Sequence, residues 1–247
     1  MDRALFLKLI SLSTPALLLP GKLWAEDYIQ DYTLQELIGK APRDLVGSTY
    51  LTTMQRDTAR ALKLMQETAK KDGIEIKVVS AFRSFDRQKE IFENKFKRFT
   101  AQGNTPEQAV NRIIEYSTLP GTSRHHWGTD LDLIDGGVTA PESVLESRHY
   151  YGSGVFCALR EWLEANAAHY GFYQVYTNHP DRKGFAHEPW HYSYAPVSIP
   201  MLKAFMKLDL EAILSEEKIL GASVISGSFL AEYRKKHLLD INPLLLD

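Results

Sequence analysis

Ser123 to Ile134 reads SRHHWGTDLDLI, two adjacent histidines followed by two carboxylates, Asp130 and Asp132, that alternate with leucines. Imidazole nitrogens and carboxylate oxygens are the donors of a catalytic zinc site, which takes three protein ligands and keeps one position open. Strand side chains alternate, so Asp130 and Asp132 share a face while Leu131 and Leu133 turn to the core. His125 then lies just before the strand and Asp132 on it, seven residues later. A third donor has to come from elsewhere in the chain. HEPWH at 187–191 offers His191, with Glu188 three residues before it. On an unbroken strand these two would face opposite ways. Both reach one ion only if the backbone breaks near Pro189, which a proline at a strand start permits.

Neighbouring residues carry plainer readings. His126 points away from His125 and reads as structural or as a support behind a ligand. Asp130 either orients a ligand histidine or caps a turn. Trp127 and Trp190 read as walls of the site, and His179 and His187 as solvated loop residues. Gly128 lets the backbone turn before the strand. Cys157 is the single cysteine, so no intramolecular disulfide forms. It sits in the apolar stretch VFCALREWL and reads as a small core residue.

The elements that must position these donors follow from periodicity. Apolar residues recur at helical spacing from Leu51 and stop at Gly73, a helix C-terminal cap. IEIKVVSAF at 74–82 alternates and predicts a strand. A helix is expected from Phe85 to Phe99 behind the polar start of Ser84 and Asp86. Another opens with Thr105 as cap and Pro106 at its first position. DLDLI at 130–134 is the next strand. Residues 154–171 predict a helix ending at Gly171, 172–176 a short strand, and 188–194 an aromatic strand. The tail after Pro200 is helical in pattern. The mixture predicts an α+β fold, with helices around a small antiparallel sheet and the zinc site on the sheet face.

With those residues in view, the chain resembles the zinc D-alanyl-D-alanine carboxypeptidases of the VanY type. SRHHWGTDLD is similar to that family's SxHxxGxAxD pattern, EPWH to its ExWH, and SAFRSFDRQKEIF to its SxYRSxxxQ; PGTS precedes the first motif as it does there. The resemblance runs from about Leu51 to Tyr194. Three positions depart from it. Asp130 stands where the pattern has a small residue, Ser193 where many members carry arginine, and Phe82 where tyrosine is usual. The resemblance implies that His125, Asp132 and His191 hold one zinc ion (Zn2+) per chain. It implies Glu188 as the general base that serves the attacking water and later the leaving amine, and Arg83 as the cation that stabilises the oxyanion. Ser123, Gln88 and Ser80 would hydrogen-bond the substrate, including its terminal carboxylate.

The implied substrate is a peptidoglycan stem peptide that loses its terminal D-alanine. An L,D-carboxypeptidase or a peptidoglycan endopeptidase would use the same zinc chemistry. A non-catalytic cell-wall binding module would keep the metal but need neither Glu188 nor Arg83. The chain of 247 residues is 44% hydrophobic and 24% charged, with net charge −2. That is ordinary for a globular protein, and it lacks the basic stripe of a nucleic-acid partner. Residues 1–25 have a basic start (Arg3, Lys8), an apolar middle and a small-residue point at Ala25, which predicts a secretory signal peptide and a periplasmic or otherwise exported enzyme. Two prolines interrupt the apolar run, so the mature chain is not expected to span a membrane. Residues 26–197 then form the expected zinc peptidase domain. Residues 198–247 form a helical extension packed on it, with a wall-anchoring or dimer surface as the other use.

Overall fold

Leucines alternating with aspartates at 130–134 put one face of a strand in a core and the other under a site, and the fold is arranged around that division. The structure, a computed structural model, describes residues 32–49 and 51–247. The expected export signal at 1–25 lies outside the described residues. In chain order the elements are α1 (Leu34–Leu37), β1 (Leu45–Val46), β2 (Met54–Gln55), α2 (Arg56–Lys71), β3 (Ile76–Ser80), α3 (Phe85–Ala101) and α4 (Pro106–Ile114). They continue with β4 (Asp130–Asp135), α5 (Cys157–Asn166), β5 (Phe172–Gln174), β6 (His191–Tyr194), α6 (Ala195–Phe205), α7 (Leu210–Glu216) and α8 (Gly227–Tyr233). Strands β3, β4, β6 and β5, in that order, make an antiparallel sheet of four strands, and β1 and β2 form a separate short hairpin. The fold is α+β, as the pattern of elements predicts.

Leu131 and Leu133 are fully buried and pack with Leu62, Met65, Leu159 and Phe172, so α2 and α5 cover this side of the sheet. A second cluster joins Phe85, Phe92 and Ile113 of α3 and α4 to Trp127, Phe205, Leu214, Tyr233 and Leu245. Residues from 198 onward therefore share a core with α4 and with α3, the helix that follows the SAFRSF segment, and α6 itself runs across position 198. Among the described residues no helix is long and apolar enough to cross a membrane.

Several boundaries differ from the periodicity, each for a local reason. The helix expected from Leu51 starts at Arg56, because Met54–Gln55 pairs with Leu45–Val46 and the Gln55 side chain caps the new helix at Asp57 and Thr58. The strand expected over 74–82 is regular only to Ser80; Phe82 N–H instead bonds Thr53 O. The helix at 154–171 tightens after Asn166 into a 3-10 turn that ends on Gly171 in left-handed conformation. The strand expected at 188–194 begins only at His191, after a turn closed by His191 N–H on Glu188 O. The C-terminal helices begin at Ala195 rather than after Pro200, which is accommodated inside α6.

Candidate metal centre

Sheet register assembles the donors. β4 and β6 run antiparallel with Asp132 opposite His191 and Asp130 opposite Ser193. Side chains opposite each other on such a pair project to the same face. His125 arrives from the 3-10 turn Arg124–Trp127 that leads into β4, and Gly128 ends this turn in left-handed conformation (φ 66°). Its Nε2 lies 3.6 Å from Asp132 Oδ2, and His191 Nδ1 lies 3.8 Å from Asp132 Oδ1. All three ligand atoms fall within 4.8 Å of one another, and all three residues are buried. A tetrahedral zinc with bonds of about 2 Å needs donors a little over about 3 Å apart. Asp132 Oδ1 is buried without a hydrogen-bond partner among the described residues, which leaves it free for an ion. The donor set fits the metal.

The SAFRSF segment holds the histidine pair from below. His125 Nδ1 sits 2.7 Å from Ala81 O, which can only accept; the proton is therefore on Nδ1 and the Nε2 lone pair faces Asp132. Arg83 N–H donates to His125 O at 3.0 Å, and His126 Nδ1–H donates to Arg83 O at 2.6 Å. His126 is thus a brace between two motifs. Burial pushes both histidines down to about 4, His125 against the pull of Asp132 and His126 against its bond to Arg83 O. A neutral His125 is the form a metal requires.

His191 stands between carboxylates. Its Nε2 is 2.9 Å from Asp130 Oδ2, and its Nδ1 is 2.9 Å from Glu188 Oε2. Burial works against its proton, but the hydrogen bonds to Asp130 and Glu188 outweigh it and lift His191 to about 10 in the metal-free protein. The ring of Tyr176 meets His191 edge-on at 5.1 Å. Glu188 is 31% exposed, the most solvent-accessible acidic group at the donor set among the described residues. Its backbone is tied on both sides, by Glu188 N–H to Tyr176 O and by Gln174 Nε2–H to Glu188 O.

The other candidate residues are placed as follows. Arg83 is half-buried, and burial pulls its guanidinium below its ordinary value while Asp132 and Glu188 pull it back. Gln88 is fully buried. Its carbonyl accepts from Arg83 Nη1 at 3.2 Å and its amide donates to Ser117 Oγ and Thr118 O, so it touches the site through Arg83. Ser80 pairs with Asp132 across β3–β4 after an irregularity in the register. Ser123 is buried at the mouth of the 3-10 turn.

Residues with no visible signal in the sequence also shape the site. The Tyr233 hydroxyl accepts from Leu119 N–H and bonds Thr122 Oγ1, fixing the PGTS turn from α8. His187 is not a free loop histidine: Nδ1–H donates to Tyr176 O, and Nε2 accepts from Tyr151 Oη at 2.6 Å. Contacts of this kind join segments far apart in the chain and leave no short motif.

Comparison with known proteins agrees with this geometry. A D-alanyl-D-alanine carboxypeptidase of Enterococcus faecalis is 30% identical over 191 residues, covering 76% of this chain and 61% of the relative. A Bacillus subtilis protein, YodJ, is 34% identical over 142 residues, covering 57% of this chain and 46% of its own length. The chain thus spans only part of each of these relatives. Among solved structures, the LD-carboxypeptidase LdcB superposes with a TM-score of 0.50 at 26% identity over 79% of each chain. The D-alanyl-D-alanine carboxypeptidase family VanY matches residues 51–197, which include the donor set, Glu188 and Arg83, and the chain belongs to that family.

Proposed function

We propose that this peptidase is a zinc-dependent D,D-carboxypeptidase that removes the terminal D-alanine from peptidoglycan stem peptides. The observation that carries this reading is the convergence of His125, Asp132 and His191 with a solvent-reaching Glu188 beside the third ligand. A zinc ion held by these three residues would polarise the scissile carbonyl and acidify the attacking water. Glu188 is placed to take the proton of that water and to return it to the leaving amine. Arg83, held by Gln88 and drawn toward Asp132 and Glu188, supplies a fixed cation for the oxyanion. Ser123 and Ser80 border the donor set and are the proposed partners of the substrate. The expected export signal would put the enzyme on the side of the membrane where this substrate lies.

The family's description and the Enterococcus faecalis relative both favour the D,D bond. The likeness to LdcB favours the L,D bond as the second reading. A binding module without turnover would have no use for a Glu188 that reaches solvent or for Arg83. The test is to count zinc in the purified chain and follow D-alanine release from two peptides. One is a pentapeptide ending in D-Ala-D-Ala; the other is a tetrapeptide whose last bond joins an L-centre to D-alanine. Chelator-sensitive release from the first supports the proposal, and release from the second alone replaces it with the L,D reading. Zinc with no release from either would refute carboxypeptidase action.

A further inference from the structure

Asp130 and Ser193 are two of the three departures from the family pattern, and they are direct partners in the β4–β6 register. Ser193 Oγ–H donates to Asp130 Oδ1 at 2.6 Å, and Thr129 Oγ1–H donates to the same oxygen at 3.0 Å. Asp130 Oδ2 accepts from Arg124 Nε at 2.8 Å and lies 2.9 Å from His191 Nε2. Arg124 Nη2 closes the circuit on Ser193 Oγ at 2.8 Å, and the guanidinium stacks over Trp127 at 4.9 Å. All of these side chains are buried, and Asp130 itself is fully enclosed. A carboxylate has about four lone-pair sites, and here each has a donor. Asp130 therefore has none to offer an ion, although it is two residues from Asp132 on the same face.

We infer that Asp130 is a positioning residue for His191: its carboxylate accepts the Nε2–H bond and thereby turns Nδ1 to the metal. The inference rests on the metal site proposed above. A carboxylate behind a ligand imidazole fixes its tautomer and ring orientation and raises its basicity. Here the circuit Arg124–Asp130–Ser193 keeps that carboxylate charged and still. A small residue at 130 could do none of this, and in this chain the aspartate and the serine opposite it act as one hydrogen-bonded unit.

The experiment measures zinc affinity by competition with a chromophoric chelator, and the Co(II) absorption spectrum of the substituted protein, for wild type, Asp130→Ala, Asp130→Asn and Asp132→Ala. Melting of the metal-free proteins reports folding. Asp130→Ala is expected to weaken zinc binding by roughly 10- to 100-fold and to alter the Co(II) spectrum. Asp130→Asn keeps an acceptor oxygen for Arg124 and His191 but loses the negative charge and turns an NH2 toward the Ser193 and Thr129 hydroxyls, so its loss should be smaller yet measurable. Should Asp130→Ala fail to fold because Arg124 is left unpaired, Asp130→Asn decides. Affinity and spectrum unchanged in the folded variants would overturn the inference alone. Wild-type binding no tighter than that of Asp132→Ala would overturn the metal site and this inference with it.

Discussion

Glu188 and His191 flank Pro189 within one turn, yet the proposed chemistry gives them separable roles. Glu188 touches His191 only from the side where an ion would enter, so Glu188→Ala should leave zinc content unchanged. Loss of a general base typically costs ~10²–10⁴ in rate, and kcat should fall by that order while metal stays near one per chain. His191→Ala removes a donor and should lower the metal content itself, read by elemental analysis before any assay. Arg83 is tested the same way. Its guanidinium is anchored on Gln88 and is no ligand, so Arg83→Met should retain metal and lose about 10²–10³ in kcat, the range for one oxyanion donor. Near-normal turnover in Glu188→Ala would sink the mechanism even with metal in place.

Elements set how far these residues can move. DLDLI was legible as a strand because its leucines alternate, and a break at Pro189 was legible because proline stops a ladder; they bring the donors to one face, but choosing Asp132 over Asp130 rested on the resemblance of the motifs. The β1–β2 hairpin was not, since its two-residue strands carry no period and the apolar residues after Leu51 continue into α2. Nor was the reach of the C-terminal segment into the site. Asp240 Oδ2 accepts Lys183 N–H and Gly184 N–H, Arg182 donates to Asp240 O, and Asn242 bonds Val175 O and Gln174 O. These pairs are more than fifty residues apart, and no local pattern foretells them. They pin the loop that runs from β5 to Glu188. Asp240→Ala should therefore cost about 1–3 kcal/mol through the loss of two backbone hydrogen bonds to a carboxylate, and faster protease cleavage between 177 and 187 would report the loosened loop. At the other end of the site, Gly39 has φ 81°, and a Cβ there would lie 2.6 Å from His126 Nδ1. Gly39→Ala should destabilise by about 1–3 kcal/mol from backbone strain alone, with further loss as the brace between SAFRSF and the histidine pair is displaced; an unchanged melting temperature would contradict that packing.

Across the whole molecule, the core cluster that holds Phe85, Phe185 and Tyr233 packs against histidines that burial keeps neutral, and this gives the metal-free protein a defined acid response. His237 lies between Phe185 at 4.7 Å and Tyr233 at 5.1 Å, with its Nδ1 buried and without a hydrogen-bond partner among the described residues. Burial, helped by Lys236 and opposed by Asp240 and Glu232, holds it down to about 4 from an ordinary 6.5. His126 is held equally low by burial. The unfolded chain takes up these protons near pH 6.5, whereas the folded chain resists them until about pH 4. The contribution of these two histidines is therefore full above the unfolded value and is lost as pH falls through that window. His191 adds no slope there, because with a folded value of about 10 it is protonated in both states below 6.5. His237→Phe keeps an aromatic ring against Phe185 and Tyr233 and removes one titrating group. Melting temperature measured with chelator between pH 7 and 4.5 should fall less steeply in this variant than in wild type. An identical slope would mean that His237 takes up its proton in the folded state as readily as in the unfolded chain, and would overturn its burial as the source of this acid response.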